Sequence, residues 1–216
     1  MKRKMLVLSA MMHDIGKFWQ GTGEHGRHEE LGSRFIKAYV PEQWQAGGLV
    51  ALHHDSSTYM DKGYELLKMI VCGDWLSAGE REERKEETGK REREPLVSIF
   101  SKIAIGERKV PHDEHFVLLR QLALDKEALF SISSKNEDWL RSDYVKAWNS
   151  FVEEMKEIQA LSDFGAYFTT LYYLLQKYTW CVPSAVYKDV PDISLFDHLK
   201  TTCAIVSCLY NNIKNI

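Results

Sequence analysis

Ser9-Ala10-Met11-Met12-His13-Asp14-Ile15-Gly16-Lys17-Phe18 sets two metal-ligand side chains next to each other inside an apolar segment. A neutral imidazole beside a carboxylate is costly to bury unless something compensates the charge, and a divalent cation is the usual compensation. On a helix His13 falls on the row Leu6, Ala10, His13, Lys17, so its imidazole shares the core face. Asp14 lies about 100° round from it, and both can meet one ion if the helix crosses the floor of a pocket. Gly16 keeps the following turn slim, and Lys17 reads as a free ammonium one turn on, suited to an anionic phosphate oxygen. Alone, the dipeptide reads as a hydrogen-bonded pair in an ordinary core before it reads as a metal site, so the rest of the chain must decide.

The 216 residues suit one domain, residues 1–216, and 44% hydrophobic residues suffice for a core. A net charge of -3 gives no global footprint for nucleic acid, so binding to a polyanion must rest on a local patch or on metals. Cys72, Cys181, Cys203 and Cys208 show no Cys-x-x-Cys spacing and read as reduced core thiols. The start, Met-Lys-Arg-Lys, leads into an apolar run holding His-Asp rather than a cleavage site, which points to the cytoplasm. No apolar run nears the roughly 20 residues that span a membrane.

Outward from the His-Asp pair, residues 2–20 read as one helix closed by Gly21-Thr22-Gly23. A second helix starts between His25 and His28, carries Leu31, Phe35 and Ile36 inward and stops at Pro41. A third runs from Pro41 to His53-His54, before the polar turn Asp55-Ser56-Ser57. In the helix Tyr64 to Ala78, the stripe Leu67, Ile70, Val71 puts Asp74 on the buried face. Residues 80–94 alternate in charge without an apolar side chain and read as a solvated extension or mobile loop. Arg108 to Leu122 suggests a small hairpin or an irregular segment. Asp138–Leu161 and Phe164–Trp180 are aromatic-rich helices whose rows Trp148, Val152, Met155 and Phe168, Tyr172, Leu175 are core packing. Asp192-Ile193-Ser194 opens a last helix through Tyr210 that carries His198. The expected fold class is all-α, with at most a small β element.

His13, Asp14, His28, His53, His54, Asp74 and His198 then form a constellation, each near a helix end or on an apolar face. Imidazoles mixed with carboxylates suit Mn²⁺, Ni²⁺, Co²⁺, Fe²⁺ or Zn²⁺ better than Mg²⁺ or Ca²⁺, which prefer oxygen shells. Seven ligands are too many for one ion and suit two, which can activate a water and hold both oxygens of a phosphodiester displacement. His25, three residues away on the same face if the helix begins early, is an alternative to His28; His112 and His115 read as surface residues. Phe18 and Trp19 read as packing before base stacking.

The order His-Asp, His, His-His, Asp resembles the HD superfamily of metal-dependent phosphohydrolases. The His that such proteins carry upstream of the pair is supplied here by Asp197-His198-Leu199-Lys200-Thr201-Thr202 at the far end, as a circular permutation would do. With Asp74-Trp75-Leu76-Ser77-Ala78-Gly79-Glu80-Arg81-Glu82, Pro95-Leu96-Val97-Ser98-Ile99-Phe100 and Asp192-Ile193-Ser194-Leu195-Phe196, this resembles the N-terminal HD nuclease domain of the large subunit of type III-A (Csm) CRISPR interference complexes. Gly73 stands where that family commonly has Ala. The Gly-Gly-Asp-Asp motif of its palm domains does not occur in this chain, so cyclic-oligoadenylate synthesis is not expected of it.

The resemblance implies metal-dependent cleavage of single-stranded DNA in antiviral defence, within a complex that also holds guide RNA and target RNA. His13, Asp14, Asp74 and His198 would hold one ion, with Asp14 bridging, and His28, His53 and His54 a second. Lys17 would neutralise a non-bridging phosphoryl oxygen. Competing readings are a nucleotide phosphohydrolase and a non-catalytic assembly module. Apolar exposure around Tyr172-Tyr173 or Tyr187 is expected where further domains would sit.

Overall fold

A computed structural model of the chain describes residues 1–59, 64–78, 95–102, 115–126, 137–184 and 191–213. The described elements are helical: α1 (Lys2–Met12), α2 (Ile15–Gly21), α3 (His28–Tyr39), α4 (Gly47–Ala51), α5 (Ser56–Tyr59), α6 (Glu65–Ala78), α7 (Glu137–Ile158), α8 (Phe164–Thr179) and α9 (Leu195–Asn212), with 3-10 turns at Glu42–Trp44 and Ile99–Lys102. The fold is all-α. Its β content among the described residues is two isolated antiparallel bridges, Val97 with Phe116 and Pro183 with Ser194. No helix among them is long and apolar enough to cross a membrane.

α1 is the central strut, because Leu6, Leu8, Ala10, Met11 and Met12 bury its surface on several sides. It packs on α9, α6 and α4, while α2 packs on α3 and α7, and α7 pairs with α8. An aromatic core locks these layers. Phe35 stacks on Phe151 at 5.5 Å, and Phe18 meets Trp148 edge-on at 5.2 Å. Trp19 stacks on Trp148 at 5.1 Å under the guanidinium of Arg34, so both Phe18 and Trp19 are packing residues. Tyr172 packs edge-on against Phe196, whereas Tyr173 is exposed; Tyr187 lies outside the described residues.

Three elements depart from expectation. The helix read over residues 2–20 breaks at Asp14, whose φ of -105° and ψ of 10° take it out of the α region, so α1 and α2 meet at an angle. The break lets adjacent side chains turn into one pocket, which a continuous helix would hold about 100° apart. The segment Pro41 to His54 is a 3-10 turn and a short α4, separated at Gln45-Ala46. Gln45 Nε2 donates to the carbonyls of Lys37 and Val40 at 3.1 and 2.8 Å, satisfying the C-terminal end of α3, while Trp44 buries itself against Phe164 and Tyr167. No hairpin appears within 115–122: Phe116 bridges to Val97 instead, and residues 103–114 lie outside the described residues, as do His112 and the charged segment 80–94.

Capping fixes the last helix. Ser194 Oγ accepts from Asp197 N at 3.0 Å and donates to Asp197 Oδ2 at 2.8 Å, which sets the first turn of α9 one residue before His198. Replacing Ser194 with Ala is expected to cost about 1 kcal/mol, read as a lower midpoint in chemical denaturation with unchanged slope.

Candidate metal centre

Six separate helices or their ends deliver the site. His13 is the residue that closes α1 and Asp14 the one that opens α2; His28 begins α3, His53 and His54 follow α4, Asp74 is on α6 and His198 on α9. Two glycines permit the close approaches. A Cβ at Gly16 would stand 1.9 Å from His28 O, so α2 lies directly on the start of α3. A Cβ at Gly73 would stand 2.6 Å from Val206 Cγ2, so α6 nests against α9 and brings Asp74 to His198. The Gly in place of Ala thus tightens the site rather than disturbing it.

The seven residues converge as two groups that share Asp14: His13, Asp14, Asp74 and His198, all buried, and Asp14, His28, His53 and His54, of which only His54 is exposed. Within each group the candidate ligand atoms lie within 4.8 Å of one another. The two oxygens of Asp14 divide between them. Oδ2 is 3.5 Å from His13 Nε2 and 3.4 Å from His198 Nε2, whereas Oδ1 is 3.1 Å from His28 Nε2 and 3.5 Å from His53 Nε2. Asp74 Oδ1 completes the first group, 3.0 Å from His198 Nε2 and 3.5 Å from His13 Nε2.

Neighbouring hydrogen bonds assign the imidazole tautomers. His13 Nδ1 donates to Ala10 O at 2.9 Å and His53 Nδ1 to Val50 O at 2.6 Å; a carbonyl can only accept, so each neutral ring keeps a lone pair on Nε2. Ser77 Oγ donates to His198 O at 3.1 Å and accepts from His198 Nδ1 at 3.0 Å, so Nε2 is the atom that a cation would take, in exchange for any proton it carries. His13 Nε2 and His198 Nε2 then face each other at 3.2 Å, both aimed at carboxylates. Lone pairs gathered around anionic oxygens out of water demand a positive charge between them. Asp14 Oδ1, His28 Nε2 and His53 Nε2 are moreover buried without a hydrogen-bond partner among the described residues. This donor set fits divalent cations with mixed nitrogen and oxygen shells.

The ionisation equilibria agree. Burial pushes the Asp14 carboxyl up, but the Lys17 ammonium, with the imidazoles of His13, His28 and His198 around it, holds it well below the ordinary carboxylate range. Asp74 is likewise driven down, burial being outweighed by the His13 and His198 imidazoles beside its Oδ1. Burial works against a proton on His198, yet its carboxylate partners raise it above an ordinary imidazole. Although His54 reaches solvent, the packing of its ring on His53 and His28 partly desolvates it, and with the neighbouring His53 this lowers it to about 4.

Lys17 differs from expectation in being paired. Its Nζ bonds Asp14 Oδ2 at 2.5 Å and Ser184 O at 2.9 Å, because a buried carboxylate recruits the nearest ammonium. His25 is exposed and outside the site, which takes His28 instead, and His115 is half-buried beside Ser101. Sequence reasoning passed over Ser77, whose i+3 spacing from Asp74 was the available signal, and Glu29, a buried acid directly after His28. The Ser184 carbonyl had no signal, being backbone.

No family model matches the chain. A protein of Methanocaldococcus jannaschii described as the CRISPR system single-strand-specific deoxyribonuclease Cas10/Csm1 (subtype III-A) is 32% identical over 95% of this chain and 28% of its own length. The protein of the same description from Enterococcus italicus is 24% identical over 97% of this chain and 29% of its own. The chain therefore spans little more than a quarter of these curated relatives. Among solved structures, Csm1 of T. onnurineus superposes with a TM-score of 0.62 at 22% identity, over 96% of this chain and 28% of that one. Csm1 in a Csm1–Csm4 cassette bound to pppApApA superposes at 0.60 and 23% identity, over 97% of this chain and 28% of that one. Over nearly all its length the chain is thus similar to about a quarter of the Cas10/Csm1 proteins of subtype III-A CRISPR systems, and it shares the helical fold of that part.

Proposed function

We propose that this chain is a metal-dependent phosphodiesterase cleaving single-stranded DNA, the nuclease domain of a type III-A CRISPR effector. One observation carries this reading: a single buried carboxylate, Asp14, presents one oxygen to each of two imidazole-rich ligand groups. That is the arrangement a two-metal phosphodiester hydrolase requires. The activity named for the relatives supports single-stranded DNA as the substrate.

In this reading His13, Asp14, Asp74 and His198 hold one cation and Asp14, His28, His53 and His54 a second, with Mn²⁺, Ni²⁺ or Co²⁺ preferred over Mg²⁺ by the imidazole count. Bound divalent cations supply Lewis-acid polarisation of the phosphoryl group and acidify water. The protein does the positioning. Ala10 O, Val50 O and Ser77 fix the rings, and Asp14 sets the spacing of the two subsites. Lys17 Nζ, held between Asp14 and Ser184 O, is placed to pair with a non-bridging oxygen of the scissile phosphate. Exposed His54 marks the side from which a strand enters. Residues 1–216 act as one domain, working in the cytoplasm beside a Csm4-type subunit, guide RNA and target RNA.

Cleavage of end-labelled single-stranded DNA by the chain, with Mn²⁺, Ni²⁺, Mg²⁺ or EDTA, tests the reading. Cleavage is expected with a transition metal and none with EDTA or in a His13→Ala, Asp14→Ala variant. A folded, metal-loaded protein that leaves the strand intact would sink autonomous nuclease activity.

Metal uptake should also be visible in stability and pH dependence. At a free cation concentration of about 100 times the dissociation constant, the native state gains about 2.7 kcal/mol, read as a higher unfolding midpoint. His198 holds its proton above the ordinary imidazole range, so a cation entering that group must displace it. Affinity is therefore expected to fall as pH drops, about tenfold per pH unit for each proton displaced. Titrations at several pH values in buffers of different ionisation enthalpy measure both.

A further inference from the structure

Glu29 is the buried acid that neither ligand group uses. It directly follows His28 in the first turn of α3 and is only 4% exposed. Its Oε1 accepts from Arg27 Nη2 at 2.8 Å. Its Oε2 is buried without a hydrogen-bond partner among the described residues and lies 3.4 Å from His28 Nδ1. On the opposite edge of the same ring, His28 Nε2 is 3.1 Å from Asp14 Oδ1.

The imidazole of His28 thus stands between two carboxylates, and in its neutral form it has one proton to give. A proton on Nε2 would go to Asp14 Oδ1 and close the position a cation needs. A proton on Nδ1 leaves the Nε2 lone pair available. His53 has no such choice, because its Nδ1–H donates to the Val50 carbonyl at 2.6 Å. For His28 the only group placed on the Nδ1 side among these contacts is Glu29. An anion at the start of a helix is also favourably placed in the field of the backbone amides.

We propose that Glu29 is a positioning residue for the second cation subsite: its carboxylate, 3.4 Å from Nδ1, favours the neutral tautomer of His28 that keeps its proton on Nδ1 and so leaves Nε2 as a ligand lone pair toward Asp14 Oδ1. The inference rests on the two-cation reading above. It predicts that the subsites depend on different supports, Ser77 serving His198 and Glu29 serving His28, so that one can be weakened without the other.

The test is Mn²⁺ titration by calorimetry of the whole chain together with long-range nitrogen–proton NMR of its histidine rings without metal, for wild type, Glu29→Gln and Glu29→Leu. Loss of a supporting partner of this kind weakens metal binding by about 10- to 100-fold. Wild type is expected to take two equivalents; Glu29→Leu should weaken one of them by that factor and leave the other unchanged. Glu29→Gln, which still accepts a hydrogen bond but carries no charge, should fall between. In the spectra His28 should move toward the Nε2–H form in Glu29→Leu while His53 stays as it was. Equal weakening of both equivalents, or unchanged binding and tautomer, overturns the role of Glu29 with the two-cation site intact. Fewer than two equivalents in wild type overturns the two-cation reading and this inference with it. If Glu29→Leu does not fold, Glu29→Gln decides by the same direction of change.

Discussion

Asp14→Asn is expected to abolish both metal-binding equivalents at once and to lower DNA cleavage about 1,000-fold or more, with the fold retained. Asp14 alone belongs to both ligand groups, with Oδ1 toward His28 and His53 and Oδ2 toward His13 and His198. An amide of the same shape has one oxygen and no charge, so it cannot neutralise either cation. Metal catalysis supplies several kcal/mol of transition-state stabilisation, and each 1.36 kcal/mol is about tenfold in rate. The fold should tolerate the change because the new amide can donate to the Nε2 lone pairs that now face Asp14. Lys17 loses its counter-charge but keeps Ser184 O, and its side chain is 23% exposed, enough to be hydrated. His54→Ala makes the contrast: this ring is exposed and belongs to the second group only, so its loss should weaken one equivalent and spare the other. Calorimetric Mn²⁺ titration with circular dichroism reads both outcomes. A well-folded Asp14→Asn protein that still binds one equivalent with wild-type affinity would show that the carboxylate does not bridge.

What the sequence disclosed and what it hid follow different physics. Apolar periodicity located the long helices almost to the residue, because α6, α7, α8 and α9 each bury a continuous stripe. It failed at residues 13–14 and 45–46, where the chain bends for reasons that are not local. Asp14 leaves the helix at a site assembled from four other segments, and Gln45 turns back to cap α3. The candidate ligand residues read from the order of His and Asp along the chain are the ones the fold gathers, since side-chain chemistry is visible in sequence. The residues that orient them are not. Ser77 and Glu29 become meaningful only once His198 and His28 are beside them, and the Ala10, Val50 and Ser184 carbonyls carry no side-chain signature at all.

Gly16→Ala should be the most damaging Gly-to-Ala change among the described glycines, costing at least about 3 kcal/mol and displacing His28 from the centre. Overpacking a well-filled interior costs typically 1–3 kcal/mol, occasionally more, when flexible side chains can yield. Here they cannot, because the added Cβ would stand 1.9 Å from His28 O, 2.7 Å from His28 C and 2.8 Å from Gly32 N, all backbone atoms. α2 and α3 would have to separate, and that movement shifts the two residues that begin them, Asp14 and His28, on opposite sides of their 3.1 Å contact. Stability and second-subsite metal affinity should therefore fall together, the first read by denaturant titration and the second by Mn²⁺ calorimetry. Gly48→Ala supplies the opposite sign from the same chemistry. Gly48 is exposed in α4, and a Cβ there meets nothing within 4 Å, so Ala should raise stability by roughly 0.5–1 kcal/mol through reduced chain entropy. A Gly16→Ala protein as stable as wild type, with both equivalents bound, would mean that α2 and α3 are not in the close contact on which the geometry of the site depends.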